Sequence, residues 1–492
     1  MVKRRRYFSL NSQTGSVRAM LQFIRRIHGP ITFREGASTR MCADRINRVT
    51  PSPISGFPEW TPAERLVEQN MLDSIRASFE RFGFSSIETP AVERNAVLTA
   101  KGGEETERQI YSLTGLHPQS GGEARDYSLH FDLTVPLARY VAQHNNDLVF
   151  PFRRYQIQKV WRGERPQHGR FREFTQCDID IVGDGRLSLM ADAEIPAVIS
   201  TVFNSLDIGD FTIRISNRKI LTGYLDHLGF DESDASAILR DADKIERQGT
   251  GPLLQTLETL PDGKAAQDDI LALVKLSGSP GNVMRDLDSI EGGERFRTGV
   301  DELNAVFEHA TAFGISDQNI SADIGIVRGL DYYTGTIYET RLDDHPQLGS
   351  ICSGGRYDDL ASYFIRKAMP GVGISIGLTR LFSQLLQAGI VETGSASVAQ
   401  VLVTTPDDSL MGTAIEIASA LRAADVNTEV FFEQTRLGRQ LRYASRKGFK
   451  FAVIPLPEDI ERDHIKYRDM DAGEEFVVPA SELPQYLTKH FD

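Results

Sequence analysis

Residues 153–164, RRYQIQKVWRGE, and residues 172–183, REFTQCDIDIVG, are two β-patterned runs separated by a short polar loop, and their pairing decides the fold. Both hold the β-branched and aromatic residues that suit a pleated, half-buried surface. A third run upstream, YSLHFDLTVPLARYVA at 127–142, has the same character. Successive strands with no long helix between them imply an antiparallel sheet, hence an α+β fold and not a doubly wound α/β one. Side chains alternate along a strand, so Arg162 and Glu164 share one face, and Arg172, Phe174, Gln176, Asp178 and Asp180 share another. Thr175, Cys177, Ile179 and Ile181 then face the core. A solvated sheet face would account for the charges, but it would leave Phe174 an exposed aromatic. A flat ring beside arginines suits stacking of a nucleobase.

Outward from this pair the pattern divides the chain. PSPISGFPEWTP (51–62) is a Pro-, Ser- and Gly-rich lead-in. The next stretch predicts a long amphipathic helix, with Leu66, Met71, Leu72, Ile75, Phe79 and Phe82 at helical spacing and Gly83 as its stop. SSIETPAVE (85–93) predicts a strand that Pro90 confines to an edge, an end or an interface. Residues 215–315 turn helical and predict an insertion domain between two parts of a core, 51–214 and 316–392. After a linker within 391–400, alternating strand and helix patterns predict a small α/β domain over 398–492 with a parallel-leaning sheet.

A chain of 492 residues has room for several domains, and its 40% hydrophobic and 25% charged content is ordinary for a globular protein. The net charge of -13 argues against a bulk electrostatic grip on nucleic acid. Nine Lys/Arg against Glu35 alone fall in residues 1–40, so the remainder is more acidic still. Any nucleic acid must be met by local basic loops. The basic segment 1–50 reads as a disordered extension. It is Arg-rich like a transit peptide, or lies upstream of a functional start at Met41. Cys42, Cys177 and Cys352 are far apart, and no CxxC or HExxH occurs. Neither a disulfide frame nor a protein-held metal is suggested, and a reducing cytoplasm fits. No apolar run approaches the roughly 18 residues of a membrane span.

Four further segments carry chemistry. In FDLTVP (131–136), Asp132 and Thr134 flank Leu133 and would share a strand face, offering an acceptor and a hydroxyl that suit an α-ammonium. RGLDYYTGTIYE (328–339) places Arg328, Tyr332 and Tyr333 in a turn between strands. SGGRYDDLA (353–361) reads as a Gly-Gly turn, which also permits close backbone approach. In GVGISIGLTRLFSQLL (371–386), Leu378, Leu381, Phe382 and Leu385 form a helical stripe with Arg380 off it in the first turn. A cation there opposes the helix dipole by ~0.3–1 kcal/mol, relieved by an anion or by water.

Together these segments resemble the class II aminoacyl-tRNA synthetases, and specifically the histidyl-tRNA synthetase family. RGLDYYTGTIYE and SGGRYDDL look like its two histidine signatures, VWRGE…REFTQCDIDIVG like motif 2, and GVGISIGLTRL like motif 3. The helix ending in SSIETP looks like motif 1, and the resemblance runs from about residue 55 to the C-terminus. It implies a class II antiparallel sheet flanked by helices, a C-terminal anticodon-binding domain, L-histidine, ATP and tRNA(His) as substrates, Mg²⁺ carried on ATP, a homodimer, and no membrane. Arg162, Arg328 and Arg380 would be catalytic. Glu164 and Phe174 would hold the adenine, with Arg162 and Arg380 on the phosphates. Asp132, Leu133, Thr134, Arg162, Gln176, Asp180, Arg328, Tyr332 and Tyr333 would bind histidine. Arg165, Gln167 and Arg170 would approach the tRNA acceptor end. The basic stretch RLGRQLRYASRKGFK (436–450) would be the anticodon domain's patch, although without that fold context a solvated helix face is the better account of it. The alternative is a non-charging, histidine-binding regulatory paralogue. Such chains lose the catalytic arginines and the C-terminal domain, and both are kept here.

Overall fold

The computed structural model describes residues 50–100, 107–115, 126–165, 169–327, 329, 332–359 and 361–491. The extension expected over 1–50 lies outside them apart from Thr50, as do Gln167 and Arg328.

The predicted first helix forms as α1, Pro62–Arg81. It opens on a capping box: the Thr61 N–H donates to the Glu64 carboxylate at 2.7 Å, and the Glu64 N–H donates back to Thr61 Oγ1. Gly83, at φ +75°, follows its end. The strand expected over 85–93 is two pieces, β1 (Ser85–Ser86) and β2 (Val92–Arg94), with Pro90 in the break. β2 pairs with β3 (Tyr127–Leu129).

Beyond β3 the strand reading fails. Residues 134–143 form a helix, α2 (Thr134–Gln143), which buries Val135, Leu137, Ala138 and Val141. Pro136 sits in its first turn, where a missing N–H removes no intrahelical bond. Asp132 Oδ1 accepts the Val135 N–H at 3.2 Å. Asp132 and Thr134 therefore meet at a helix entry and not on a strand face.

β4 (Phe152–Trp161) and β5 (Glu173–Val182) pair antiparallel, from Phe152 opposite Val182 to Trp161 opposite Glu173. Next come α3 (Met190–Leu206), β6 (Phe211–Asn217) and α4 (Arg218–His227). Five further helices and the two-residue β7 (Ser277–Gly278) lead to α5 (Gly293–Ala312). β8 (Ile320–Asp323), β9 (Thr336–Leu342), β10 (Cys352–Tyr357), β11 (Gly371–Gly377) and α6 (Leu378–Ala388) follow. Nine strands make one sheet in the order β1-β4-β5-β11-β10-β9-β6-β8-β7. Among the described residues only β1–β4 and β6–β8 are parallel neighbours in this sheet. The helical segment begins after Asn217, because β6 belongs to the sheet. Its Ile238, Leu253, Ile270 and Leu287 join the same apolar cluster as Ile179, Ile213 and Phe382.

SGGRY is strand, not turn. A Cβ on Gly354 would stand 2.1 Å from the Gly373 carbonyl oxygen, so only glycine lets β10 and β11 approach as they do.

The C-terminal unit runs β12 (Val401–Val403), α7 (Met411–Ala423), β13 (Thr428–Val430), α8 (Leu437–Lys447), β14 (Phe451–Ile454), β15 (His464–Asp469) and β16 (Glu475–Pro479). β13, β12 and β14 are parallel, and β15 and β16 add an antiparallel edge not read from the sequence. Its core, with Val401, Leu421 and Val453, is a cluster of its own. Among the described residues no helix is long and apolar enough to cross a membrane.

Candidate active site

The polar face of β5 floors a cavity of about 570 Å³. Its wall runs from half-buried Phe174 to Gln176 and Asp178, which are only 7% and 3% exposed. This is no solvated sheet face. Arg162, Glu164, Arg170, Asp132, Thr134, Tyr332, Tyr333 and Arg380 also line it, together with Cys352, Ser375 and Gln384. Leu133 is fully buried and Asp180 lies beyond the wall.

At the Phe174 end the groups are cationic and aromatic. Arg162 follows the last residue of β4, so it and Glu164 lie past the strand on which they were expected. Its Nε donates to the Phe131 carbonyl at 3.0 Å, and its guanidinium stands 5.1 Å from the Phe174 ring centre. Gly163 donates its N–H to the Gln109 carbonyl at 2.6 Å, and a Cβ there would come within 3.1 Å of that oxygen. Arg172 Nε donates to the Glu164 carbonyl at 3.1 Å, and Arg170 lies 3.5 Å from the Glu164 carboxylate. Arg165 and Arg170 are exposed. Across the cavity, α6 buries the predicted stripe and leaves Arg380 exposed in its first turn. Arg380 Nη2 donates to the Leu348 carbonyl at 3.2 Å, as does Gln384 Nε2 at 3.3 Å. Thr379 Oγ1 accepts the Thr175 N–H at 2.8 Å, tying this helix to the strand residue beside Phe174.

At the other end acids and tyrosines meet. Burial, outweighing the Val135 N–H and Arg162, pushes the Asp132 carboxyl up to about 6. Burial likewise pushes Asp178 up to about 7, against the opposing pull of Arg154 and the Ser375 hydroxyl. Gln176 Nε2 donates to Ser375 Oγ at 2.6 Å, and Ser375 in turn hydrogen-bonds Asp178. Tyr332 packs against Tyr333 at 4.8 Å between centroids and stacks on Tyr357 at 5.4 Å. Gly329, at φ +67°, is the turn residue beneath: a Cβ would stand 2.3 Å from the Tyr333 ring.

Two buried arginines act elsewhere. Arg154, fully buried on β4, places Nη2 2.5 Å from Asp180 Oδ2, while the Tyr357 hydroxyl donates to Asp180 Oδ1 at 2.8 Å. Arg356, inside the second signature, turns away from the cavity onto Asp192 of α3. Sequence reasoning missed Ser375, Cys352 and Gln384 as cavity residues. All three lie in or beside the quoted segments, but their inward aim depends on strand register and helix phase.

A sequence model described as histidyl-tRNA synthetase matches residues 56–381, and one described as an anticodon binding domain matches residues 400–490. The chain belongs to the histidyl-tRNA synthetase family. The histidine–tRNA ligase of Xanthomonas axonopodis pv. citri (strain 306) is 44% identical over 458 residues, covering 89% of this chain and 96% of that protein. That of Thermobifida fusca (strain YX) is 45% identical over 448 residues, 90% of this chain and 99% of its own. The crystal structure of histidyl-tRNA synthetase from Nostoc sp. PCC 7120 superposes with a TM-score of 0.82 at 41% identity, covering 90% of this chain and all of that one. The histidyl-tRNA synthetase match takes in every cavity-lining residue except Gln384.

Proposed function

We propose that this chain is a histidine–tRNA ligase, which activates L-histidine with ATP and transfers the histidyl group to the 3′ end of tRNA(His). One observation carries the reading. In a chain of this family, a single cavity joins Arg162, Phe174 and Arg380 to a pocket of acids and tyrosines. Phe174 stacks on the adenine and Glu164 meets its polar edge. Arg162 draws the α-phosphate and the amino-acid carboxylate together, with Arg328 on the same phosphate and Arg380 on the triphosphate tail. Asp132 and Thr134 take the α-ammonium, and Gln176, Asp180, Tyr332 and Tyr333 enclose the imidazole.

Adenylation is attack of a carboxylate oxygen on the α-phosphorus. A new P–O bond forms as the bond to pyrophosphate breaks, and no proton leaves the nucleophile. Catalysis therefore rests on positioning and on fixed positive charge. Mg²⁺, entering on the nucleotide, would offset charge on the departing pyrophosphate. In the second step a terminal ribose hydroxyl of tRNA attacks the activated carbonyl, and AMP departs. Arg165, Gln167 and Arg170 approach the acceptor end, and Arg436, Arg439, Arg442 and Arg446, all exposed on or beside α8, face the anticodon arm. A homodimer and a cytoplasmic location belong to this reading. The non-charging alternative is disfavoured by Arg162 and Arg380 lining the cavity and by the complete C-terminal unit.

The test is histidine-dependent ATP–pyrophosphate exchange. Exchange with histidine alone among amino acids, abolished in Arg328→Ala, is the expected result. A folded protein that binds histidine without exchange would turn the reading to the regulatory paralogue.

A further inference from the structure

The hairpin of β4 and β5 runs past its neighbours in the sheet before it delivers its outermost cavity residues. Among the described residues β1 borders β4 only at Arg154 and Tyr155, and β11 borders β5 only from Gln176 onward. Arg162, Glu164 and Phe174 therefore stand on a two-stranded ribbon, closed by the Arg162 N–H on the Arg172 carbonyl at 2.8 Å. Two strands alone make a marginal structure, and other parts of the chain cover this ribbon's edges. On the β4 side the His130 carbonyl takes the Trp161 N–H at 3.1 Å. One step further out, the Gln109 carbonyl takes the Gly163 N–H at 2.6 Å. On the β5 side the Gly56 carbonyl takes the N–H groups of Arg172 and Glu173 at 2.7 and 3.2 Å. The segments that carry Gly56 and Gln109 meet where Phe57 and Tyr111 pack edge-on, 6.4 Å between ring centres at 62°. Each is also anchored away from the ribbon. The Tyr111 carbonyl takes the Leu129 N–H of β3 at 2.9 Å, and Trp60 packs on Phe382 of α6 at 5.1 Å.

We propose that residues 54–57 and 109–111 form one brace around this ribbon, in which Phe57 and Tyr111 are positioning residues that set where Glu164 and Phe174 meet the nucleotide. The proposal rests on the ligase reading above.

The three brace bonds fall at residues 163, 172 and 173, the immediate neighbours of Glu164 and Phe174. A ribbon free to swing would spend part of the nucleotide's binding energy on being ordered, and a braced one has that cost removed beforehand. The fit is close, since a Cβ on Gly163 would come within 3.1 Å of the Gln109 carbonyl oxygen. Arg162 is held from a different quarter, its Nε on the Phe131 carbonyl. The brace therefore acts on the adenine end of the cavity and leaves the amino-acid end alone.

The experiment measures pyrophosphate exchange at varied ATP and at varied histidine, on the full chain carrying Tyr111→Ala, Phe57→Ala, both together, or Tyr111→Phe. Tyr111→Ala is expected to raise the KM for ATP about 3- to 10-fold, the size of a lost aromatic pair. The KM for histidine stays within about twofold, and Tyr111→Phe, which keeps the ring, restores the wild-type value. The double variant is expected to be no worse than the more severe single one, because the two rings act as a unit. A folded Tyr111→Ala with an unchanged KM for ATP, or with both KM values raised alike, would overturn the proposal. So would strictly additive effects of the two substitutions. Gly163→Ala tests the same brace without touching either ring: it is expected to raise the KM for ATP about threefold, and a wild-type value counts against the brace. Absence of exchange in the wild type would undo the ligase reading instead. The brace is then judged on calorimetric binding of ATP, where equal affinity in Tyr111→Ala and wild type sinks it.

Discussion

Asp192 and Asp178 are both carboxylates sealed inside the main sheet's layers, and they differ in what has been done with their lone pairs. Asp192, on α3, takes the Thr336 hydroxyl at 2.7 Å and Arg356 Nε at 3.0 Å on Oδ1, and Arg356 Nη2 at 2.6 Å on Oδ2. Arg356 Nη2 also reaches the Leu187 and Ser188 carbonyls at 3.3 Å. That cluster is complete within the chain, and it clamps a helix to strands β9 and β10. Asp178 has one hydroxyl and an open oxygen at a cavity wall. A satisfied buried charge signals architecture, and an unsatisfied one at a cavity signals a ligand.

The contrast is broken most severely at Asp192. Asp192→Ala leaves the Arg356 guanidinium buried without its counter-charge, so a loss of about 3–5 kcal/mol in unfolding free energy is expected. Urea titration followed by circular dichroism measures it. A loss below about 1 kcal/mol would show that the clamp is dispensable.

Arg162→Ala should do the reverse, sparing stability and removing chemistry. Its guanidinium donates to the Phe131 carbonyl and lies over Phe174 at the cavity. Loss of a fixed charge at the reacting phosphate is expected to slow pyrophosphate exchange by about 10²–10³, or roughly 3–4 kcal/mol. An unfolding midpoint that falls in step with the rate would place Arg162 with Arg356 among the structural arginines.

Much of this contrast was legible in the sequence on the side of the ligand. The period-two pattern of 172–183 set Phe174, Gln176, Asp178 and Asp180 on one face, and β5 places them so. The stripe of α6 set Arg380 apart, and that also holds. What could not be read was which acid finds a partner. Arg154 meets Asp180 through the β4–β5 register, and Tyr357 reaches it from β10. Both contacts depend on strand order, which local patterning does not encode. The misreading of 134–142 has a local cause. Thr134, Val135, Tyr140 and Val141 favour strands by propensity, but Leu133, Leu137 and Val141 repeat at helical spacing behind Asp132. Tertiary burial of that stripe decided the outcome.

Solution pH should sharpen the comparison, because Asp178 is protonated more readily in the folded chain than in the unfolded one. Its folded value of about 7 lies above the ordinary carboxylate range. Stability from this group is full below pH of about 4 and is lost as pH rises through about 7. The ligand-free wild type should therefore lose on the order of 2 kcal/mol between about pH 5 and 8 that Asp178→Asn does not lose. Asp132, pushed up to about 6, titrates in both proteins. Parallel stability–pH curves for the two would mean that Asp178 ionises as freely as a surface acid.

The smallest effect expected is at Thr379, which stands between the two classes. Its hydroxyl is buried at 3% exposure and accepts the Thr175 N–H at 2.8 Å, where the first turn of α6 meets the start of β5. Valine keeps the shape and removes the acceptor, leaving that N–H unpaired at a cost of about 1 kcal/mol. Because Thr175 adjoins Phe174 and Thr379 adjoins Arg380, the bond sets the spacing between the stacking ring and the cation across the cavity. If that spacing is what the bond serves, the KM for ATP should rise about fivefold in Thr379→Val while the KM for histidine holds. If stability falls by the same amount and both KM values stay, Thr379 belongs with Asp192, and the nucleotide end of the cavity is set by the strands alone.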